Sequence, residues 1–513
     1  MKKSLERFKR FEEEFDNLIK KAAEKQHKKK KLTARERIGL LLDKGSFIEI
    51  GKFEENRLKE FGLDKKRILS DAVVTGYGTI GGRKVCIFSQ DFSFSGGTLG
   101  EVHSKKISEI IELAIETGVP IIGIYDSGGA RIQEGVISLD AYAKIFRLNV
   151  KASGIIPQFS LILGPCAGGA SYSPALTDFI FMVKGISEMF ITGPGVIKEA
   201  TGEKVSMEEL GSGYIHSKVS GVCHFFLENE KECMKKFMEL FSYMPSNYLQ
   251  FPPKESEYDS VERKNNSLLR IVPENLDKAY DMRDVINELF DRGSFLEVQK
   301  EYSPNIIVGF ARLGGIAVGV VANQPKFKAG CLDIESSQKL SRFVNFCDSF
   351  NFPIINLVDV PGYLPGKNEE HHGIIRHGAD ILFAYASATV PKISLIIRKA
   401  YGGAYIALAS KELGFDQVIA WPTAIIAVMG TKEACKILYK KEAEKARNLS
   451  KFLLEKQKEY EEKYLNPYFA ARVGAIDMII DPVRSREYLF KILNAILEKR
   501  QVVVPKKHGN IPL

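Results

Sequence analysis

Leu42-Asp43-Lys44-Gly45-Ser46-Phe47-Ile48-Glu49-Ile50 recurs, little changed, as Phe290-Asp291-Arg292-Gly293-Ser294-Phe295-Leu296-Glu297-Val298. Further matches follow at a nearly constant offset of about 233 positions. VTGYGTIGG (Val74 to Gly82) is answered by IVGFARLGG (Ile307 to Gly315), and VPIIGIYDSGG (Val119 to Gly129) by FPIINLVDVPG (Phe352 to Gly362). Gly168-Gly169-Ala170 is answered by Gly402-Gly403-Ala404. A module written twice predicts two similar domains, each with a similar pocket. The length of 513 residues independently exceeds what one ordinary core organises.

Within each copy, short apolar runs alternate with helical stretches. Val85-Cys86-Ile87-Phe88 reads as a strand, Ser104 to Ile115 as a helix, and Pro120 to Tyr125 as a strand ending in a glycine-rich turn. The same order returns after Ile306, which argues for an α/β fold. Residues 1 to about 40 carry Leu5, Phe8, Phe11, Phe15 and Leu18 at helical spacing. Thr33 with Glu36 offers a capping pair before Ile38 to Leu42. Phe251 to Asn266 is polar with two adjacent prolines, a linker composition. Domains are therefore expected over 1–255 and 265–513. Lys432 to Tyr464 has no counterpart in the repeat, and its Lys and Glu spacing predicts one long exposed helix.

Composition excludes several classes. No run of 18 apolar residues appears, so no membrane span is expected, and the charged N-terminus MKKSLERFKRFEEEF does not read as a secretory signal. The seven cysteines are scattered without a CxxC pair, which fits free thiols in a reducing, cytoplasmic setting. His216, His224, His371, His372 and His377 lack ligand spacing, so no metal is expected. A net charge of +9 is densest at Lys20 to Lys31, which is either a solvated helix face or a site for a polyanion such as the phosphates of coenzyme A. Without a nucleic-acid motif or interleaved aromatics, nucleic acid is not expected.

The chemistry is carried by glycine. The strand Phe159 to Leu163 feeds Gly164-Pro165-Cys166-Ala167-Gly168-Gly169-Ala170, a turn opening a helix, and Ile393 to Ile397 feeds Arg398-Lys399-Ala400-Tyr401-Gly402-Gly403-Ala404 in the second copy. N–H groups at a helix start lack intrahelical partners and carry partial positive charge, a natural cradle for an anion. One Gly-Gly pair is usually only a turn. Recurrence in both copies, beside the glycine loops Asp126 to Arg131 and Asp359 to Gly366, favours function. There is no GxxxxGK[ST] and no GxGxxG after a strand, Ser127 is not in a GxSxG elbow, and no acid–base pair stands out. This points to backbone electrostatics, with the base supplied by substrate or cofactor.

Ten ordered motifs spanning nearly the whole chain now carry a resemblance. They are KLTARERI (Lys31 to Ile38), DSGGARIQEG (Asp126 to Gly135), GPCAGGASYSPALTDF (Gly164 to Phe179), ITGPGVIKEATGE (Ile191 to Glu203), GCLDIESSQK (Gly330 to Lys339), VDVPGYLPG (Val358 to Gly366), GIIRHGA (Gly373 to Ala379), RKAYGGAYIAL (Arg398 to Leu408), AWPTA (Ala420 to Ala424) and KKHGNIPL (Lys506 to Leu513). The chain resembles the carboxyltransferase (β) subunits of biotin-dependent acyl-CoA carboxylases of the propionyl- and acetyl-CoA type. It equally resembles the α subunits of sodium-pumping methylmalonyl-CoA decarboxylases.

The resemblance implies tandem crotonase-like domains, each a β-β-α superhelix, in a homohexamer with sites at dimer interfaces. The N-terminal domain would hold acyl-CoA and the C-terminal domain carboxybiotin. Gly168 and Gly169, with Ala167, would line the enolate hole, and Gly403 and Ala404 the ureido oxygen. Gly96, Gly97, Gly128, Gly129, Tyr172 and Ile406 would contact the acyl substrate, and Gly362, Gly402 and Tyr405 the biotin. Biotin would arrive on a separate carrier protein and the ATP step would belong to a biotin carboxylase subunit, since neither an Ala-Met-Lys-Met site nor a nucleotide loop is present. A membrane partner is implied only for the decarboxylase. Propionyl-CoA carboxylases commonly carry Asp after GGAY where Ile406 stands here, which leaves the acyl preference open. Ser171 and Tyr172 replace the acidic residues of crotonase-type hydratases, which argues against hydration. Intact glycine motifs in both copies also argue against the remaining reading, a non-catalytic scaffold.

Overall fold

The computed structural model describes all residues except 59, 64–66, 257, 258, 447, 500, 502 and 513. It divides into two compact units, Met1–Gln250 and Phe251–Leu513. Each holds an eight-stranded sheet, and the two sheets match strand for strand.

In the first unit the helices α1 (Lys2–Lys28) and α2 (Ala34–Leu41) precede β1 (Ile48–Ile50), β2 (Val73–Ile80) and β3 (Arg83–Gln90). Then come α3 (Glu101–Thr117), β4 (Ile121–Ser127), α4 (Val136–Ala152), β5 (Gln158–Ala167), β6 (Phe179–Val183), β7 (Glu188–Phe190) and β8 (Phe225–Leu227). The sheet order is β1-β2-β3-β4-β5-β6-β8, with β7 against β5. The first three strands are antiparallel and the rest parallel. In the second unit β9 (Leu296–Val298), β10 (Ile306–Leu313), β11 (Ile316–Asn323), β12 (Ile354–Val360), β13 (Lys392–Tyr401), β14 (Gln417–Ala420), β15 (Ile425–Ala427) and β16 (Met478–Ile479) repeat that order, with β15 against β13.

The opening repeat now has a physical reading. Gly81 and Gly82 turn the β2–β3 hairpin with φ of 55° and 77°, and Gly314 and Gly315 turn β10–β11 at 59° and 78°. Two consecutive left-handed residues make the tight hairpin that matches sheet twist. The Asp43 carboxylate accepts from the amides of Gly81 and Gly82 at 2.9 and 2.8 Å, and Asp291 accepts from Gly314 and Gly315 at 3.0 and 2.8 Å. Ser46 Oγ accepts from the Thr79 amide and Ser294 Oγ from the Arg312 amide. Asp-x-Gly-Ser is thus the clamp of each hairpin, which is why the motif and the distant Gly-Gly recur together.

The central strands are buried along their whole length, as parallel strands covered on both faces are. In the first unit Val73, Phe88 and Ile121 pack against Ile107 and Ile111 of α3 and Ile145 and Leu148 of α4. In the second, Leu357, Leu395 and Trp421 share a core with Ile286, Leu289 and Leu493.

The cap expected at Thr33 is present: the N-terminal 40 residues form two helices, Lys30 takes a φ of 57°, and Thr33 with Glu36 forms a complete capping box that starts α2. Two expectations are corrected. Lys432 to Tyr464 is broken into Thr431–Leu438, Lys440–Ala443 and Leu449–Tyr464, because Ala434 and Cys435 are buried and Asn448 caps a new start; residue 447 lies outside the described residues. The polar stretch after Phe251 is packed into the second unit. Asp259 pairs with Arg263 at 2.9 Å, Arg486 donates to the Asp259 carbonyl at 2.7 Å, and Asn265 is fully buried and donates to the Glu288 carbonyl. Glu257 and Tyr258 of that stretch, and Leu513 of the terminal motif, lie outside the described residues. All seven cysteines are free, and six are buried. No helix among the described residues is long and apolar enough to cross a membrane.

Candidate active site

In the first unit the site lies where β4 and β5 end, the edge at which parallel sheets place ligands. Asp126, fully buried near the end of β4, is met by Lys31 at 2.7 Å and Arg37 at 2.9 Å. Arg37 also pairs with Glu230 at 2.8 Å and donates to the Leu163 carbonyl at 2.6 Å, tying β4, β5 and the N-terminal helices together. Burial pulls the Lys31 ammonium below its ordinary range in spite of Asp126. The same burial acts on Arg37, but Asp126 and Glu230 outweigh it and hold the guanidinium above its usual value. The carboxylate approaches so closely that a Cβ at Gly164 would fall 1.9 Å from Asp126 Oδ1. Lys31, at the end of the basic run, is therefore a buried structural cation. Lys29 is exposed and rests over the Phe92 ring at 5.3 Å.

Gly164 to Ala167 continue β5 instead of forming the expected turn. The chain turns at Gly168, with φ of 61°, runs as a 3-10 turn Gly168–Ser171, and passes into the short helix Tyr172–Ala175. Ser171 Oγ donates to the Gly168 carbonyl at 2.7 Å and holds the turn closed. Gly168 and Gly169 are half-buried, and Tyr172 is 47% exposed beside them. The Tyr142 ring of α4 lies beneath Gly169, 3.0 Å from where a Cβ would stand.

A second glycine loop follows β3. Ser95, Gly96 and Gly97 all take left-handed φ, of 48°, 63° and 65°. Such a run costs energy unless its surroundings impose it, and it clusters at functional sites. Of the four glycines expected here to contact substrate, three have their amides engaged internally. Gly97 donates to the Phe94 carbonyl, Gly128 to the Gly96 carbonyl and Gly129 to Ser127 Oγ. Gly97 and Gly129 are glycine for packing, since a Cβ would lie 2.1 Å from the Asp126 carbonyl and 2.7 Å from the Ala167 carbonyl. Only the Gly96 N–H has no intramolecular acceptor among the described residues. Through these contacts Gly96, Gly128, Gly129 and Ala167 form one continuous surface.

The second unit is built alike. Asp359, 233 positions after Asp126, is buried and held by Arg398 of β13 at 2.8 Å and the Tyr280 hydroxyl at 3.0 Å. The cation now comes from β13 rather than from a preceding helix. Beyond β13, Gly402 takes a φ of 56° and opens the helix Gly402–Ala409, so Gly402, Gly403 and Ala404 are its first three residues. Gly403 is exposed while the Ala404 methyl is fully buried. The Tyr363 ring lies beneath Gly403, 3.5 Å from a Cβ there. The Gly362 carbonyl accepts from the Leu332 amide, so Gly362 serves loop pairing. Tyr405 is half-buried and Ile406 is 49% exposed, one residue further along the helix.

One functional candidate escaped the sequence. Lys328, Ala329 and Gly330, 233 positions after Ser95, Gly96 and Gly97, repeat their left-handed run at 47°, 52° and 79°. Ala329 is not glycine, so composition concealed it. Its N–H, like that of Gly96, has no intramolecular acceptor among the described residues.

The phenols and the thiol beside these loops are held neutral by burial. Burial pushes the Tyr363 and Tyr401 phenols up to about 12 and raises those of Tyr142 and Tyr405 and the Cys166 thiol. His216 is engaged by the Met189 carbonyl and Ser220, and burial lowers it. No group of three or more His, Cys, Asp or Glu among the described residues is gathered to hold a metal ion. The arrangement presents fixed N–H dipoles at two places, suited to oxyanions.

The Carboxyl transferase domain family matches residues 25–511. The methylmalonyl-CoA decarboxylase subunit alpha of Veillonella parvula is 52% identical over 493 residues, 96% of this chain and 95% of that protein. The propionyl-CoA carboxylase carboxyltransferase subunit of Haloferax mediterranei is 51% identical over 488 residues, 95% of each. Among solved structures, a transcarboxylase 12S hexamer with methylmalonyl-CoA and methylmalonic acid bound superposes with a TM-score of 0.96 at 48% identity, over 99% of this chain and 98% of that one. With the family matched almost end to end and the doubled site in place, the chain belongs to the carboxyltransferases of biotin-dependent acyl-CoA carboxylation and decarboxylation, built as two crotonase-like domains in tandem.

Proposed function

We propose that the chain moves a carboxyl group between carboxybiotin, presented on a separate carrier protein, and the α-carbon of a short acyl-CoA, propionyl- or acetyl-CoA. The observation that carries this reading is the doubled arrangement: each unit has a left-handed amide loop and a Gly-Gly turn after the equivalent strand. The first unit, 1–255 in the sequence reading, would take the thioester and the second, 265–513, the biotin.

The α-proton of a thioester is weakly acidic, and removing it places charge on the carbonyl oxygen. Gly96 with Gly168 and Gly169 supply donors for that oxygen, each worth about 3–4 kcal/mol of barrier. Gly403, Ala404 and Ala329 supply them for the ureido oxygen. When bound, carboxybiotin supplies CO2, and its ureido nitrogen accepts the α-proton, so the protein needs no base of its own. The neutral phenols and thiols around the loops fit that division of labour.

The transcarboxylase relative assembles as a hexamer, and a ring of six copies is proposed here. Exposed apolar side chains beside each site favour such self-association: Ile132 (90% exposed), Val136, Ile137 and Leu139 in the first unit, and Ile375 and Val428 in the second. The same chemistry run backwards decarboxylates a malonyl-type CoA, and the identity to the Veillonella subunit favours this as the second reading. The test is carboxyl transfer from methylmalonyl-CoA to free biotin by the purified chain, then turnover of acetyl-, propionyl- and butyryl-CoA with its biotinylated carrier. Absence of any transfer would reject the proposal and revive a non-catalytic role.

A further inference from the structure

Lys106 and Lys339 stand 233 positions apart, one on α3 and one on the equivalent helix Ile334–Ser349. Both are buried, yet neither ammonium has a carboxylate partner at ion-pair distance among the described residues. Each is caged by backbone carbonyls. Lys106 Nζ donates to Ser70 at 3.0 Å and Val73 at 2.7 Å. Lys339 Nζ donates to Gln299 at 3.0 Å, Tyr302 at 2.7 Å, Ser303 at 3.4 Å and Ile306 at 2.8 Å. Ser303 and Ile306 are the repeat equivalents of Ser70 and Val73, so two carbonyls of the clamp recur in both units.

The clamped turns share a left-handed residue at the equivalent positions Ser70 and Ser303. Ser70, Asp71 and Ala72 take φ of 52°, 44° and 61°, and Ser303 takes 42°. From each turn a hydrogen-bond relay leads to the amide loop. The Ala72 carbonyl accepts from Asp91, the Asp91 carbonyl from Phe94, and the Phe94 carbonyl from Gly97, at 2.8, 3.2 and 2.9 Å. In the second unit Asn305, Gln324, Phe327 and Gly330 repeat the relay at 2.9, 3.0 and 2.9 Å. Asp71 adds a side branch, pairing with Arg131 at 2.7 Å, and Arg131 donates to the Thr98 carbonyl at 2.8 Å. The relays themselves run through backbone alone, from a turn that the lysine holds.

We propose that Lys106 and Lys339 are positioning residues, each setting through its carbonyl cage the amide that faces the anion: Gly96 in the first unit, Ala329 in the second. The proposal rests on the carboxyl-transfer reading given above. Its test is steady-state transfer from methylmalonyl-CoA to free biotin by the full chain carrying Lys106→Ala or Lys339→Ala, with and without millimolar ethylammonium. An inactive wild type would reject the carboxyl-transfer reading itself, whatever the variants do. With an active wild type, each variant is expected to lose about 10- to 100-fold in kcat, with KM for the CoA ester within about twofold. Added ethylammonium should refill the cage and recover most of the loss. If an alanine variant does not fold, Lys106→Met and Lys339→Met keep the apolar stem, and the same kcat loss at unchanged KM is expected of them. Unchanged kcat in folded variants, or a loss that alkylammonium leaves untouched while lowered melting temperature accounts for it, would overturn the assignment.

Discussion

Gly169→Ala is a perturbation whose cause can be isolated. Gly169 is outside the left-handed region, so an alanine backbone meets no strain there. The added methyl does meet Tyr142, with ring carbons at 3.0, 3.2 and 3.4 Å. A relaxed carbon–carbon contact is about 3.5–4.0 Å, so ring and loop must part by about 0.5 Å. That is roughly the tolerance within which a preorganised donor works. A whole donor is worth about 3–4 kcal/mol, and we expect the shift to forfeit about 1–2 kcal/mol of it, or about tenfold in kcat. The assay is carboxyl transfer by Gly169→Ala in wild-type and Tyr142→Leu backgrounds. The smaller leucine leaves room, so the double variant should recover most of the tenfold relative to Tyr142→Leu alone. Gly168→Ala is the contrast: its nearest neighbour is the Ile191 carbonyl at 3.7 Å, but its φ is 61°. There the cost is backbone strain of about 1–2 kcal/mol, and removing Tyr142 should not relieve it. Equal loss from Gly169→Ala in both backgrounds would refute the argument.

Gly403→Pro removes one N–H in the first turn of its helix, where proline is tolerated; transfer to biotin should fall at least 100-fold while CoA-ester binding, read by calorimetry, is unchanged. Ile406→Asp should reorder the preference among acetyl-, propionyl- and butyryl-CoA, and an unchanged ranking would place the acyl pocket elsewhere. Asp126→Asn leaves Lys31 and Arg37 buried with half their counter-charge, so denaturant unfolding should show a loss of about 3–5 kcal/mol. Burial holds the Lys339 ammonium down at about 7, with Glu297, Arg283 and Asp333 as lesser influences. The unfolded chain therefore binds the extra proton between about pH 7 and 10, and this lysine makes stability rise with pH in that window. Wild type minus Lys339→Met should show a slope of up to about 1.4 kcal/mol per pH unit there, and a flat difference would contradict it.

Much of this was legible without coordinates. The Asp-x-Gly-Ser and Gly-Gly pairs announced the duplication, because their roles are local: one carboxylate, two amides, a left-handed turn. The Gly168-Gly169 and Gly402-Gly403 helix starts were legible for the same reason. Features set by tertiary contact were not. Ala329 adopts a glycine-like φ under the constraint of its surroundings, and no residue-type signal marks it. Lys106 and Lys339 look like solvated helix lysines until the helix is laid on the sheet. Gly97, Gly128 and Gly129 belong to the same glycine-rich signature as Gly96, yet their amides are engaged and only hydrogen bonding separates them. The polar run after Phe251 resembled a linker because its burying partner, Arg486, lies more than two hundred residues away in sequence.

The central claim is that main-chain amides, one cluster in each unit, stabilise two oxyanions in a single transfer. Labelled carboxyl transfer from methylmalonyl-CoA to free biotin, run on wild type, Gly169→Ala and Gly403→Pro, tests it directly. The account predicts measurable transfer by wild type and reduced kcat in either variant alone, with folding intact. Wild-type rates from both variants would contradict it.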